Sequence, residues 1–293
     1  MKTKLRAFAK INLYLKVTGK RPDGYHDIKS IFQTISLFDE VSLQDSKEIQ
    51  LTCNWKNLEK ENLASKAANV LREYKYFPGV KINLHKSIPE ASGLGGGSSD
   101  AAAVLNGLNL MWNLGLKNNE LEKVALELGS DVPYFITGGT KLVEGRGEKL
   151  TSLTELGETT IILAKLPFKL STKLVYDTYD KNNDKDGFKG LKNISGPVNG
   201  NWNKIASNMH NSLESVATEI YPIINTLKQK ALQEGALGAL MSGSGPSVFA
   251  ICTDEEIAGK VEKSWLRESI KVLKLKTISR AYQMIDFGEE YAG

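Results

Sequence analysis

The sequence predicts an α+β fold, and three observations lead to it. Strand-patterned and helix-patterned runs are mixed without the strict strand–helix–strand alternation of a doubly wound sheet. The length, 293 residues, suits two domains or one large one. The best place for a break lies near 150–160, which divides the chain into domains over 1–155 and 156–293.

The elements follow in order. From Ile11 onward the first strand alternates, with Ile11, Leu13, Leu15 and Val17 on one face and Lys10, Asn12, Tyr14 and Lys16 on the other. A Gly/Pro/Asp turn over 19–24 separates it from more strand over 28–43. Residues 49–53 and 80–84 alternate too. Between them, 62–74 has helical spacing, with Leu63, Ala67, Val70 and Leu71 apolar. Residues 100–114 read as a largely buried helix ending near Gly115, and 119–128 as a second helix stopped by Gly129. A short apolar strand spans 160–164, and 181–203 is polar and loop-like. A helix over 222–233 follows, then a glycine turn between apolar strands within 239–252. A helix over 254–264 and a closing strand over 270–278 complete the chain.

Composition narrows the function. A net charge of +4 suits small anionic substrates, and the basic residues form no long stripe, so no nucleic-acid partner is expected. Cys53 and Cys252 have no CxxC spacing, as expected of thiols in a reducing cytoplasm. The three histidines, His26, His85 and His210, are scattered, which argues against a His/Cys metal site. No apolar run reaches membrane-spanning length, and the basic N-terminus is broken at Lys10 and Asn12, unlike a signal peptide.

Residues 89–100, Pro-Glu-Ala-Ser-Gly-Leu-Gly-Gly-Gly-Ser-Ser-Asp, carry most of the functional information. Glycine allows positive φ and close approach of a ligand to the backbone. The helix that follows turns its free N–H groups and positive dipole end to that ligand, making an anion trap suited to phosphate. The loop lacks the lysine of a Walker A motif. Ser87-Ile88-Pro89 separates it from its strand, unlike a Rossmann turn. A mobile linker is the bland alternative, but the run is short and flows into an apolar helix.

Other candidates have two readings each. Lys10 is either a solvated strand lysine or a functional group on a rigid strand, with Asn12 on the same face. Ser130 and Asp131 in Gly129-Ser-Asp-Val-Pro133 are either an N-cap with a dipole-favourable acid, or the same geometry holds Asp131 to orient a substrate hydroxyl and accept its proton. Tyr25 and His26 either decorate a turn or receive a base by stacking and hydrogen bonding. The turn Ser242-Gly-Ser-Gly-Pro-Ser247 is weak alone, but with the first loop it suggests two backbone cradles on one site.

Together these pieces resemble the GHMP kinase superfamily, from about residue 5 to beyond residue 250. The carrying motifs are Ala9-Lys-Ile-Asn-Leu13, Arg21-Pro-Asp-Gly-Tyr-His26, Gly93-Leu-Gly-Gly-Gly-Ser-Ser-Asp100, Gly129-Ser-Asp-Val-Pro133 and Ser242-Gly-Ser-Gly-Pro246. The triple glycine and the Asp-Gly-Tyr-His turn point to the members that act on a cytidyl diphosphate substrate in isoprenoid precursor synthesis. The resemblance implies an N-terminal domain like ribosomal protein S5 domain 2 and a ferredoxin-like C-terminal domain, with the site between them. It implies Mg·ATP-dependent phosphorylation of the substrate's 2-hydroxyl, with Asp131 as base and Lys10 as its partner. Pro89, Gly93, Leu94, Gly95, Gly96, Gly97, Ser98 and Ser99 would bind the ATP phosphates. Asn62 and Lys86 would lie near the adenine. Asn12, Tyr25, His26, Tyr176, Gly243 and Gly245 would bind the substrate. Mg²⁺ would travel with ATP rather than sit in a protein cage, touching Ser98 or Ser99. A cytoplasmic monomer or weak homodimer is expected. One departure is Asn211-Ser-Leu-Glu214, where family members often have Asn-Asp-Leu-Glu. Competing readings are another kinase of the superfamily, a dinucleotide oxidoreductase suggested by Gly93-x-Gly95, and a binding protein without catalysis.

Overall fold

Two long strands, β1 (Lys2–Lys20) and β2 (His26–Asp45), organise the first half of the computed structural model, which describes residues 1–182, 201–268 and 270–285. They pair antiparallel from Lys2 opposite Gln44 to Lys20 opposite His26. Then come β3 (Gln50–Cys53), α1 (Leu63–Tyr74), β4 (Val80–His85), α2 (Gly96–Met111), α3 (Asn118–Leu126), α4 (Tyr134–Thr137), β5 (Thr140–Gly145) and β6 (Lys149–Ser152). The second half holds β7 (Thr160–Lys165), α5 (Thr172–Lys181), α6 (Trp202–Ala206), β8 (His210–Asn211), α7 (Glu214–Ile220) and α8 (Ile223–Gln233). It ends with β9 (Gly238–Met241), β10 (Val248–Cys252), α9 (Glu255–Leu266), β11 (Lys271–Lys276) and β12 (Tyr282–Ile285).

The fold is α+β. One sheet runs β12-β1-β2-β4-β3, with β5 added along β2, β6 along β5 and β8 along β1. The other is a four-stranded antiparallel sheet, β11-β7-β10-β9. Its strand residues alternate between two cores. Ile162, Ala164, Ala250 and Cys252 meet Leu227 and Ala231 of α8 and Val261 and Trp265 of α9. Ile161, Leu163, Phe249 and Ile251 face β1 instead. The closing strand expected over 270–278 is β11, but the chain goes on. β12 returns to the first sheet, pairing Ile285 with Lys4.

Local signals set several boundaries. Asn62 caps α1 by accepting the Ala64 N–H at 2.9 Å, and Asp254 caps α9 by accepting that of Ile257 at 2.9 Å. Two expectations need correction. The helix expected from Asp100 begins four residues earlier, at Gly96, because the glycines themselves form its first turn. The apolar residues of β1 also do not share one core. Ile11 and Leu13 join one cluster, together with Tyr14 from the opposite register, whereas Leu15 and Val17 join another. The cause is a register shift between Asn12 and Tyr14, since a bulge re-aims the side chains beyond it. Lys10 and Asn12 are buried as well, because β1 is covered on both sides. Most of the polar segment 181–203 lies outside the described residues.

Candidate active site

A cleft of about 1280 Å³ opens where the middle of β1, the loop before α2 and the turn after β9 meet. The loop is built by its backbone. Gly93 and Gly95 stand at φ 76° and 73°, the left-handed region that side chains disfavour. A Cβ on Gly93 would lie 1.9 Å from the Ser242 carbonyl oxygen, and one on Gly95 would lie 2.6 Å from the Phe135 ring. The approach at Gly93 locks the two glycine turns together, and there Ser242 Oγ, 149 residues on in sequence, donates to the Gly93 carbonyl at 2.9 Å. The start of α2 has no side-chain cap, so its first N–H groups are left for a ligand. Gly93, Gly95, Gly96, Gly97 and Ser98 line the cleft, with Pro89 beside them.

Lys10 emerges from β1 directly beneath the loop. Its Nζ donates to Asn12 Oδ1 at 2.6 Å, lies 4.5 Å from the Phe32 ring centre and stands 3.9 Å from Asp131 Oδ2. Burial pushes the Lys10 ammonium below the ordinary lysine value, and Asp131 opposes that shift. Asn12 is held in turn by donating to Ser30 Oγ at 2.9 Å. Asp131 is not a helix cap, because Pro133 occupies the cap position of α4 without any side-chain capping bond. Its carboxylate is 36 % exposed and reaches the cleft. A cation and a half-exposed carboxylate thus face each other across the mouth of an anion cradle.

The aromatic candidates Tyr25, His26 and Tyr176 also line the cleft. His26 stacks directly on Tyr176, with ring centres 4.7 Å apart, and its Nε2 is 2.7 Å from Asp180 Oδ1. Lys20 donates to the other Asp180 oxygen at 2.6 Å. Tyr25 is 57 % exposed, with the Arg146 guanidinium 4.9 Å above its ring. All of these except Asp180 line the cleft.

Some expected site residues face elsewhere. Leu94 is buried, and its carbonyl accepts the Lys10 N–H at 3.0 Å. Ser99 is buried and donates to the Phe8 carbonyl at 2.7 Å. Gly245, at φ 80°, packs on Met241 rather than lining the cleft, whereas Gly243 lines it. Asn62 reaches the cleft wall, but its amide is engaged by Ala64 N and the Leu58 carbonyl. The Lys86 ammonium is bound to Asp39 and Asp100 rather than offered to a base.

Sequence reasoning missed Asp39, Asp180 and Arg146. A lone acid inside an apolar strand run, Leu37-Phe-Asp-Glu-Val41, was the available signal for Asp39. It also left Asn211 unexplained. Asn211 donates to the Met241 and Gly243 carbonyls at 2.9 and 2.7 Å, so it anchors the second glycine turn.

Comparison with known proteins gives the family of the chain. The family model for the GHMP kinases N-terminal domain matches residues 62–139, and that for the C-terminal domain matches 190–271. The chain belongs to the GHMP kinase family. A relative from Caldanaerobacter subterraneus subsp. tengcongensis, named 4-diphosphocytidyl-2-C-methyl-D-erythritol kinase, is 43 % identical over 87 % of this chain and 90 % of its own. One of the same name from Thermoanaerobacter pseudethanolicus is 40 % identical over 97 % and 99 %. A crystal structure of 4-(cytidine 5'-diphospho)-2C-methyl-D-erythritol kinase superposes on this GHMP kinase with TM-score 0.79 and 30 % identity, covering 94 % of this chain and 98 % of that one. A mevalonate kinase from L. major shares the fold, with TM-score 0.70 and 15 % identity.

Proposed function

We propose that this GHMP kinase transfers the γ-phosphoryl group of ATP to the 2-hydroxyl of 4-diphosphocytidyl-2-C-methyl-D-erythritol, giving the 2-phosphate and ADP in isoprenoid precursor synthesis. The observation that carries the chemistry is the Lys10–Asp131 pair, 3.9 Å apart below the glycine loop. The relatives' shared name supplies the substrate.

The N–H groups at the start of α2, together with the Ser98 hydroxyl, bind the ATP phosphates. Asp131 accepts the proton of the 2-hydroxyl as its oxygen bonds to the γ-phosphorus and the bond to the departing ADP oxygen breaks. Lys10 keeps Asp131 in place and offsets charge on the transferring group, while Asn12 fixes the Lys10 head. Tyr25, His26 and Tyr176 receive the cytosine, with Gly243 beneath the substrate phosphates. Mg²⁺ needs only one or two protein oxygens when phosphates supply the rest. The cleft-lining hydroxyl of Ser98 fits that need, and that of Ser99 is committed to Phe8. Bound there with ATP, the ion would neutralise phosphate charge. We assign the protein to the cytoplasm as a monomer or weak homodimer without nucleic-acid partners, with domains over 1–155 and 156–293. Among the described residues, no helix is long and apolar enough to cross a membrane.

Phosphorus NMR of the protein with Mg·ATP and the cytidyl alcohol is the test. A new phosphomonoester signal matched by ADP supports the assignment. ATP binding without any new ester would move the search to other alcohols.

A further inference from the structure

The ring of His26 is gripped from two elements. α5 carries Tyr176 and Asp180 four residues apart, so both project from one helical face. Tyr176 stacks on the His26 ring, with centres 4.7 Å and planes 27° apart, while Asp180 Oδ1 meets Nε2 at 2.7 Å. Lys20, opposite His26 where β1 pairs with β2, donates to Asp180 Oδ2 at 2.6 Å. One face and one edge of a buried imidazole are thereby fixed.

The grip selects a tautomer. Burial works against the Asp180 carboxylate, but the hydrogen bonds from Lys20 and His26 hold it below the ordinary aspartate value. An ionised carboxylate only accepts, so the ring proton sits on Nε2. Lys20 already balances the carboxylate, so a neutral ring leaves the three groups without net charge. In a neutral imidazole protonated at Nε2, Nδ1 is a lone-pair acceptor. Asp180 stands outside the cleft lining, whereas His26 belongs to it. Among the described residues no hydrogen bond reaches Nδ1, which leaves that atom for a ligand.

We propose that Asp180 is a positioning residue that makes His26 Nδ1 a hydrogen-bond acceptor, and so selects cytosine over uracil at the nucleotide end of the substrate. This rests on the reading of Tyr25, His26 and Tyr176 as the cytosine site. Cytosine carries an exocyclic amine, a donor, where uracil carries a carbonyl oxygen, an acceptor. The lone pair on Nδ1 pairs with the amine and opposes the carbonyl. Stacking alone does not tell the two apart, because every base offers a π face. An amide at position 180 would relax the choice. Its NH₂ group can donate to Nε2, the ring proton then moves to Nδ1, and Nδ1 suits the carbonyl of uracil.

The test compares the cytidyl alcohol with its uridyl analogue, at about pH 8 and saturating Mg·ATP, in the unaltered protein and in Asp180→Asn. ¹⁵N NMR of the histidine rings accompanies it, with His26→Gln to assign the His26 signals. The unaltered protein should prefer the cytidyl alcohol by about a hundredfold or more in kcat/KM, as a site built on a hydrogen bond does. Asp180→Asn should shrink that preference by at least about tenfold, with KM for the cytidyl alcohol raised and KM for ATP unmoved. A merely structural role would slow both alcohols alike, so an unchanged preference in Asp180→Asn overturns the proposal. The spectra should show the His26 proton on Nε2. A proton on Nδ1 of the unaltered protein, alone or with Nε2, overturns the proposal without any variant, which covers a variant that fails to fold. Equal turnover of the two alcohols by the unaltered protein overturns this inference alone. Turnover of neither, with ATP bound, would instead overturn the substrate reading, and this inference with it.

Discussion

Replacing Gly93 with alanine strikes the joint between the two halves of the site. The residue stands at φ 76°, which costs a side-chain-bearing residue about 1–2 kcal/mol. The new Cβ would lie 1.9 Å from the Ser242 carbonyl oxygen and 2.8 Å from its carbon. Both are backbone atoms, so no rotamer relieves the clash and the turn itself must move. Overpacking of this kind costs about 1–3 kcal/mol, for a total of about 2–5 kcal/mol. At about 2–4 °C per kcal/mol for a large domain, the melting temperature should fall by at least about 4 °C. Ser242 Oγ also accepts the Asn12 N–H at 3.3 Å, so the displacement reaches the residue that holds Lys10. Turnover should drop by about tenfold or more, because small misplacements of reacting groups cost rate steeply. Gly97→Ala is the control. Its nearest neighbour would be Leu63 Cδ1 at 3.8 Å, and it lies in the first turn of α2. Alanine there should be neutral or stabilise by up to about 1 kcal/mol. Thermal melts read both variants, and ADP release reads Gly93→Ala. A Gly93→Ala protein that melts within about 1 °C of the parent at full turnover would refute the contact between the turns.

Three further outcomes are expected. Asp131→Asn should lower turnover by about 10²–10⁴-fold while calorimetry still detects Mg·ATP binding, and equal turnover would remove Asp131 from the mechanism. Tyr25→Ala removes an exposed ring, so the melting temperature should hold while KM for the cytidyl substrate rises about tenfold or more, and an unchanged KM would exclude base stacking there. Asn211→Ala leaves the Met241 and Gly243 carbonyls without their buried donor, which costs about 1–3 kcal/mol. It should raise KM for the cytidyl substrate more than KM for ATP, and equal effects on both would make its role general rather than local to the Gly243 turn.

Much of the site was legible in the chain because its signals are short-range. The glycine loop declares itself through residue types that only a special backbone requires, and the helix after it through apolar spacing. The Asn62 cap and the alternation of β1 depend on neighbours within a few residues. The motif resemblance then placed Lys10, Asp131 and the second glycine turn in one site, and the structure brings them together.

The elements and the residue types that chemistry needs can be read along the chain, because they follow from local backbone preference and periodicity. Tertiary structure alone decided which of them meet. The shift after Asn12 sends Leu15 and Val17 to a different core from Ile11, a consequence of pairing with β2 that no single-strand pattern contains. β12 crosses back to pair with β1. His26 finds Asp180 from 154 residues away, and the trio of Asp39, Lys86 and Asp100 assembles from three separate elements. Ser99, next to Ser98 in the chain, turns inward because successive residues of a helix point in different directions and its side faces β1. Contacts between distant residues are set by the packing of whole sheets and helices, and a linear pattern carries no record of that packing.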